Sequence, residues 1–137
     1  MARDRYHDLI RHLLEKEGWS ITHDPLYVRT ALAKLEIDLG AEKLIGAEKE
    51  GKKIAVEVKS FVGHSKMQDL YQALGQYGYY LPALRRQEPD RVLYLAIPQI
   101  AYEFFFQDPI AEEIVDTHKL KFLVYSKRTE SLVTWTE

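Results

Sequence analysis

A carboxylate and an ammonium group stand two residues apart in the segment KIAVEVKSF, where Glu57 and Lys59 flank a single valine. The segment alternates between apolar and polar side chains, which predicts a β-strand. Because side chains two residues apart project from the same face of a strand, Glu57 and Lys59 would lie side by side. On these two residues alone, the ordinary interpretation is a solvent-facing ion pair, which contributes little to stability.

A second acid, Asp38, stands one predicted hairpin upstream of this strand. The dipeptide Glu50-Gly51 is a favourable hairpin turn. If these two residues form the turn, Glu42 lies opposite Lys59 on the neighbouring strand. Glu42 is then nearer than Asp38 to the Glu57 and Lys59 side chains. Asp38 converges only if the chain bends or bulges near the glycine two residues after it. Both acids are therefore candidates, and a cross-strand ion pair is the ordinary interpretation of Glu42.

This arrangement resembles the PD-(D/E)xK nuclease superfamily. It consists of an upstream acid, a hairpin and a Glu-x-Lys strand, with one predicted helix before them and one after. The resemblance implies a restriction-endonuclease-like α/β fold. It also implies that Asp38 and Glu57 bind Mg²⁺ or Mn²⁺, cations that prefer carboxylate oxygens, with Glu42 as the alternative to Asp38. Lys59 would orient or deprotonate the water that attacks a DNA phosphate. Asp38 is preferred because an aspartate at this place is the superfamily pattern.

The predicted helix after the strand adds a weaker signal. Gln76 and Tyr80 are four residues apart and share one helix face, and Gln72 lies on the same stripe. A Gln-x-x-x-Tyr element at this place resembles the RecB-like branch of the superfamily, which implies that the glutamine faces the active site or the nucleic acid. A polar helix flank with aromatic packing is the ordinary alternative.

The first predicted helix carries His7. An exposed helical histidine is the favoured interpretation. Several branches of the superfamily bring an acid or a histidine from this helix to the active site, so the resemblance makes His7 a candidate supporting residue. The other histidines lack the spacing of zinc ligands, and the sequence therefore does not predict a zinc site.

These side chains must be positioned by elements that the pattern predicts along the whole chain. Helices are predicted over 4–17, 66–81, 102–106 and 110–118, and strands over 19–23, 40–49, 53–59, 91–97, 121–125 and 132–135, with 25–35 as an irregular connection. This order, with an apolar run at 91–97 typical of a buried strand, predicts a mixed β-sheet flanked by helices. The length fits one nuclease-like domain over 1–137.

Composition restricts the classes of function. The chain has no cysteine, which excludes disulfides, thiolate metal sites and cysteine nucleophiles. It has no apolar run long enough for a membrane span and no signal-peptide core, which predicts a cytoplasmic protein without a membrane partner.

The 19 basic and 21 acidic residues give a net charge of −2. Any DNA would therefore be bound through a local patch, metal ions or a partner chain rather than by bulk charge.

Three long blocks of sequence carry a closer resemblance: MARDRYHDLIRHLLEKEGWSITHDPL, EIDLGAEKLIGAEKEGKKIAVEVKSF and DLYQALGQYGYYL. They look like the XisH family, the cyanobacterial fdxN element excision controlling factors, over essentially the whole chain. The resemblance implies a role in programmed excision of a DNA element. It further implies a site-specific recombinase nearby and a small partner protein of the XisI family.

Three hypotheses about function follow. The first is a metal-dependent DNA endonuclease that uses Asp38, Glu57 and Lys59. The second is a non-catalytic accessory protein that uses the same fold to bind DNA or a recombination partner. The third concerns assembly: the run EFFF at 103–106 is too apolar for a single exposed helix face, which favours a homodimer in which part of it meets a second subunit.

Overall fold

The computed structural model describes residues 5–44, 51–63 and 65–136. In chain order the elements are α1 (His7–Lys16), β1 (Ser20–His23), β2 (Leu26–Arg29), β3 (Lys34–Ile37), β4 (Leu39–Leu44), β5 (Gly51–Val58), α2 (Lys66–Gln87), β6 (Arg91–Pro98), α3 (Gln99–Phe105), α4 (Ala111–His118), β7 (Phe122–Ser126) and β8 (Ser131–Trp135). In this part of the chain, no helix is both long enough and apolar enough to cross a bilayer.

Six strands form one mixed sheet in the order β1-β4-β5-β6-β7-β8. The central strands β5, β6 and β7 are parallel to one another, and each outer pair is antiparallel. The parallel steps need crossovers, which α2 provides between β5 and β6, and α3 with α4 between β6 and β7. The predicted mixed sheet flanked by helices is therefore confirmed.

The segment predicted as an irregular connection is instead a hairpin. Strand β2 pairs with β3 in a separate two-stranded sheet. Leu26 and Val28 of β2 are buried, whereas Tyr27 and Arg29 are exposed, which is the alternation of a half-buried strand. The prediction was wrong because each strand has only four residues, too few for a clear periodic signal.

The two faces of the six-stranded sheet bury two separate apolar clusters. On one face, α2, α3, α4 and the small sheet cover side chains that include Ala55, Leu95 and Phe122. On the other face, α1 packs on side chains that include Val56 and Leu123. Successive residues at the middle of β5 thus enter opposite clusters, which is why the strand is apolar at Ile54, Ala55 and Val56.

Helix α2 extends to Gln87, through Pro82 and beyond its predicted end at residue 81. A proline inside a helix removes one backbone hydrogen bond, here the bond to the carbonyl of Gly78. Gly78 is exposed, so this loss falls on the solvent side of the helix. Ala83 and Leu84 follow the proline and are buried in the core, and their burial favours continuation of the helix.

The apolar run at 103–106 packs largely within its own chain. The rings of Phe105 and Phe106 contact Phe122 at centroid distances of 6.1 and 6.3 Å. Tyr102 also packs edge-on against Phe122. The core of one chain thus accounts for much of this run, and the homodimer stays a prediction.

Candidate functional site

The register between β4 and β5 determines which acid lies beside Glu57. The pairing runs from Leu39 opposite Val56 to Leu44 opposite Gly51. One step beyond Leu39 places Asp38 opposite Glu57. The predicted register was wrong, because the pairing leaves six residues, 45–50, between the strands instead of a two-residue turn. Glu50 of the predicted turn lies outside the described residues.

Glu42 is consequently displaced from the site. It lies opposite Lys53, and its Oε1 is 3.9 Å from Lys53 Nζ. Four residues separate it from Asp38 along β4, about 13 Å at the rise of a strand. The cross-strand ion pair predicted as the ordinary interpretation of Glu42 therefore forms, but with Lys53 rather than Lys59.

Asp38 reaches the site because the chain changes sheets at this residue. Ile37 ends β3 in the small sheet, Leu39 begins β4 in the large one, and Asp38 forms the bend between them. Its backbone N–H donates to Glu57 Oε1 at 3.3 Å, and its Oδ2 accepts from the backbone N–H of Val58 at 2.7 Å. The bend therefore lies at Asp38 itself, two residues before Gly40, near which it was predicted.

Lys59 lies directly after β5 and on the same side as Glu57. Its Nζ is 3.4 Å from Glu57 Oε2. Its backbone is fixed at both ends, because its N–H donates to the carbonyl of Ala96 at 2.9 Å and its carbonyl accepts from the Tyr125 hydroxyl at 3.0 Å. The structure therefore brings Asp38, Glu57 and Lys59 together at the carboxyl end of β5.

The electrostatics of this group differ from those of a solvent-facing ion pair. Glu57 is only 8% exposed, and burial, followed by the charge of Asp38, raises its pKa to about 8, while Lys59 acts in the opposite direction. Tyr80 on α2 is half-buried, and burial together with the charges of Glu57 and Asp38 raises its pKa to about 12. Perturbed acids of this kind occur preferentially at functional sites.

His7 is buried, not exposed as the favoured interpretation held. Only 3% of the residue is accessible, and its Nε2 lies 2.7 Å from Asp24 Oδ1. Its other ring nitrogen, Nδ1, is 3.7 Å from Asp38 Oδ1 and has no hydrogen-bond partner within the described ranges. Arg11 holds the same Asp24 carboxylate from the other side at 2.6 Å. Asp24 lies 17 residues beyond His7, and nothing in the local pattern indicates this contact.

The predicted glutamines of α2 lie at different depths. The side-chain oxygen of Gln76 is buried and has no hydrogen-bond partner in the part of the chain that the structure describes. Gln72 is exposed and lines a pocket together with Lys59 and Asp69. Of the predicted stripe, Tyr80 is therefore the residue whose environment is directly linked to the two acids.

The chemistry of the acids suits a hard divalent cation. Mg²⁺ in proteins is commonly held by one or two carboxylates, with water and substrate phosphate completing its coordination. Asp38 and Glu57 form such a pair, and a cation between them would offset the like-charge repulsion that contributes to the raised pKa of Glu57. Residues 5–43, 51–63 and 65–136 contain no group of three or more His, Asp or Glu side chains arranged to hold a metal ion. The donor set thus fits Mg²⁺ or Mn²⁺ as a carboxylate pair.

Fold and site together define a mixed α/β protein with a carboxylate pair and a lysine at the centre of a six-stranded sheet. The model of the XisH protein family matches residues 1–133, and the chain belongs to the XisH family. The resemblance to this family in the sequence is therefore confirmed.

Two solved structures are similar to this chain. One is an XisH family protein from Nostoc punctiforme PCC 73102, 40% identical, with a TM-score of 0.85. The other is an fdxN element excision controlling factor protein from Anabaena variabilis, 41% identical, with a TM-score of 0.84. Each alignment covers 98% of this chain and 100% of the solved chain. No curated protein matches the chain.

Proposed function

We propose that this protein acts in the programmed excision of a DNA element and cleaves DNA phosphodiester bonds with the help of a divalent metal ion. It would do so as a restriction-endonuclease-like, PD-(D/E)xK domain. The observation that carries the proposal is the convergence of Asp38, Glu57 and Lys59, with Glu57 Oε1 3.3 Å from the Asp38 nitrogen and Glu57 Oε2 3.4 Å from Lys59 Nζ. The role in excision is supported by the similarity to a protein described as an fdxN element excision controlling factor.

Each residue of the group has a defined role in this proposal. Asp38 and Glu57 hold the metal, which when bound supplies Lewis acidity toward the scissile phosphate. Lys59 donates hydrogen bonds to the attacking water and to phosphate oxygens, and its positive charge offsets the negative charge that develops there. Tyr80 stays protonated at neutral pH because its pKa is about 12. It therefore adds no negative charge to the environment of the two acids.

Cleavage of supercoiled plasmid and of branched DNA, with Mg²⁺ or Mn²⁺, tests this function. We expect nicked or linear products from the wild type, and none from Glu57→Gln or Lys59→Ala. Glu42→Gln is the matched control, because it removes a carboxylate from the same pair of strands but one that lies opposite Lys53. Cleavage that persists in Glu57→Gln, or no cleavage of any DNA form by the wild type, would overturn the proposal.

A second function is favoured by the charge balance. With 21 acidic and 19 basic residues, the chain lacks the positive excess typical of proteins that bind DNA by charge alone. The protein would then serve as a non-catalytic accessory factor that recruits DNA through a partner, such as an XisI-like protein or a site-specific recombinase. Fluorescence anisotropy of labelled DNA distinguishes the two. The accessory role predicts binding only when the partner is present, whereas DNA cleavage by the purified chain alone contradicts it as a sufficient account.

A further inference from the structure

A second pocket lies at the opposite end of the sheet from Glu57, where β5 and β6 begin. Its volume is about 590 Å³, within the range of small-molecule sites. Lys53 at its rim and Glu57 are four residues apart on β5, a separation of about 13 Å at the rise of a strand. The proposed cleavage site does not include any residue of this pocket.

Three aromatic rings form one wall of the pocket. Trp19 and Trp135 are stacked, with ring centroids 5.9 Å apart and an interplanar angle of 26°. Tyr94 meets Trp135 edge-on at 4.9 Å. Trp135 is partly exposed and lines the pocket, so part of this cluster is accessible to a ligand. Trp19 and Trp135 are the only tryptophans in the sequence.

Four lysines line the same pocket: Lys43, Lys52, Lys53 and Lys121. Lys53 is shared between two carboxylates at 3.9 Å each. Over the described residues, the other three lysines form no ion pair, and Lys43 Nζ lies 5.6 Å from the Trp19 ring centroid.

The balance of charge in the pocket is opposite to that of the whole protein. Among the described residues that line it, Glu17 and Asp90 are the acids beside the four lysines. The pocket therefore concentrates positive charge on a protein whose net charge is −2.

We propose that this pocket binds a nucleotide, with the phosphate on Lys52 and Lys121 and the base against Trp135. Unpaired ammonium groups around an aromatic surface provide both elements of nucleotide recognition: charge-assisted hydrogen bonds to phosphate and stacking of the base. A free mononucleotide and the terminal nucleotide of a DNA strand share this chemistry. The proposal does not depend on cleavage, and it supplies a local basic patch, one of the three routes to DNA that the net charge of the chain leaves open.

Tryptophan fluorescence reports on this site directly, because both tryptophans line the pocket. The wild type is titrated in EDTA, which removes metal from the carboxylate pair, with dAMP and with deoxyribose 5-phosphate, which lacks the base. We expect saturable quenching by dAMP and weaker binding of the sugar phosphate. The double variant Lys52→Ala/Lys121→Ala should weaken dAMP binding about tenfold or more, because each lysine contributes a charge-assisted contact.

Arg86→Ala is the matched control, since Arg86 is an exposed cation on α2 that does not line the pocket. It should leave dAMP affinity unchanged, and circular dichroism verifies that all variants are folded. Titration with a single-stranded oligonucleotide distinguishes the two possible ligands of the pocket. Much tighter binding of the oligonucleotide than of dAMP indicates a DNA strand end, and equal binding indicates a free nucleotide. The proposal is wrong if dAMP causes no saturable change, if deoxyribose 5-phosphate or polyglutamate binds equally well, or if the Arg86→Ala and double variants behave alike.

Discussion

Asp38 and Glu57 are fixed relative to each other by the backbone of two neighbouring strands. The N–H of Asp38 donates to Glu57 Oε1 at 3.3 Å, and the N–H of Val58 donates to Asp38 Oδ2 at 2.7 Å. The distance between the acids is therefore set by the β4–β5 register and not by side-chain freedom. Burial of Glu57 and the nearby charge of Asp38 both oppose the ionisation of Glu57.

The raised pKa of Glu57 predicts an unusual dependence of stability on pH in the metal-free protein. The pKa is about 8 in the folded state, against an ordinary value of 4.5. Between these values the folded state binds more protons than the unfolded state, so the free energy of unfolding falls as the pH rises. We expect a loss on the order of 3–5 kcal/mol across this range from Glu57. Urea denaturation in EDTA at a series of pH values measures it.

The variant Glu57→Gln provides the control for this pH dependence. The amide keeps an acceptor for the Asp38 N–H and has no proton to lose over this range. The free energy of unfolding of the variant should therefore decline much less with pH. Near pH 8 the variant should be more stable than the wild type. An equally steep decline in both proteins would show that Glu57 is not the group responsible.

Addition of Mn²⁺ should raise the unfolding temperature of the wild type by several degrees. A cation that binds the folded state alone stabilises it by mass action. It competes with the proton on Glu57, so the effect should be larger at about pH 8 than at about pH 6. Differential scanning fluorimetry in both buffers measures the shift.

Glu42→Gln and Glu57→Gln distinguish the two predicted positions of the metal. Because Glu42 lies opposite Lys53, its variant should keep the full Mn²⁺ shift, while Glu57→Gln should lose it. If the shift instead disappears with Glu42→Gln, the cation binds at a site other than the carboxylate pair.

Asp24 should be important for stability although it lies outside the carboxylate pair. Its carboxylate contacts His7 Nε2 at 2.7 Å and Arg11 Nη1 at 2.6 Å. Asp24→Asn removes the charge that both partners face, and we expect the free energy of unfolding to fall by about 1–3 kcal/mol. Asp116→Asn, on the exposed surface of α4, should change it by less than about 0.5 kcal/mol. Chemical denaturation of both variants provides the comparison, and equal stabilities would refute the role of Asp24.

Tyr77 should anchor α2 to the start of the parallel sheet. Its buried hydroxyl lies 3.0 Å from the carbonyl of Leu93 and 3.1 Å from that of Lys119, and it accepts from the N–H of Lys121 at 3.2 Å. Tyr77→Phe leaves these groups without that partner, at a cost of about 1–3 kcal/mol in the free energy of unfolding. Tyr79→Phe, on the exposed side of α2, should cost clearly less in the same measurement. Matching losses in the two variants would contradict this anchoring role.

Local sequence patterns were sufficient for the central strand and the acid–lysine pair. The alternation in KIAVEVKSF predicted β5, and the two-residue spacing placed Glu57 and Lys59 side by side, as the structure has them. The alternation is informative because Ile54, Val56 and Val58 are buried in one cluster, whereas Glu57 and Lys59 lie on the other face of the strand. The structure also selects Asp38 over Glu42 as the neighbour of Glu57.

Features that depend on distant contacts could not be predicted in this way. The β4–β5 register depends on the length of the connection, and a turn motif alone placed Glu42 incorrectly. The burial of His7 requires Asp24, which is brought to it only when α1 packs beside β1. Continuation of α2 past Pro82 depends on the burial of Leu84 in the core. For His7 and α2, a tertiary contact outweighs the local preference.

We propose that Asp38 and Glu57 together bind a divalent metal ion, and anomalous scattering from crystals soaked in Mn²⁺ would locate that ion without an activity assay. We expect an anomalous peak between the two carboxylates, close to Lys59, that disappears in crystals of Glu57→Gln. Crystals in which Mn²⁺ binds only elsewhere, or in which the peak persists without the Glu57 carboxylate, would contradict it.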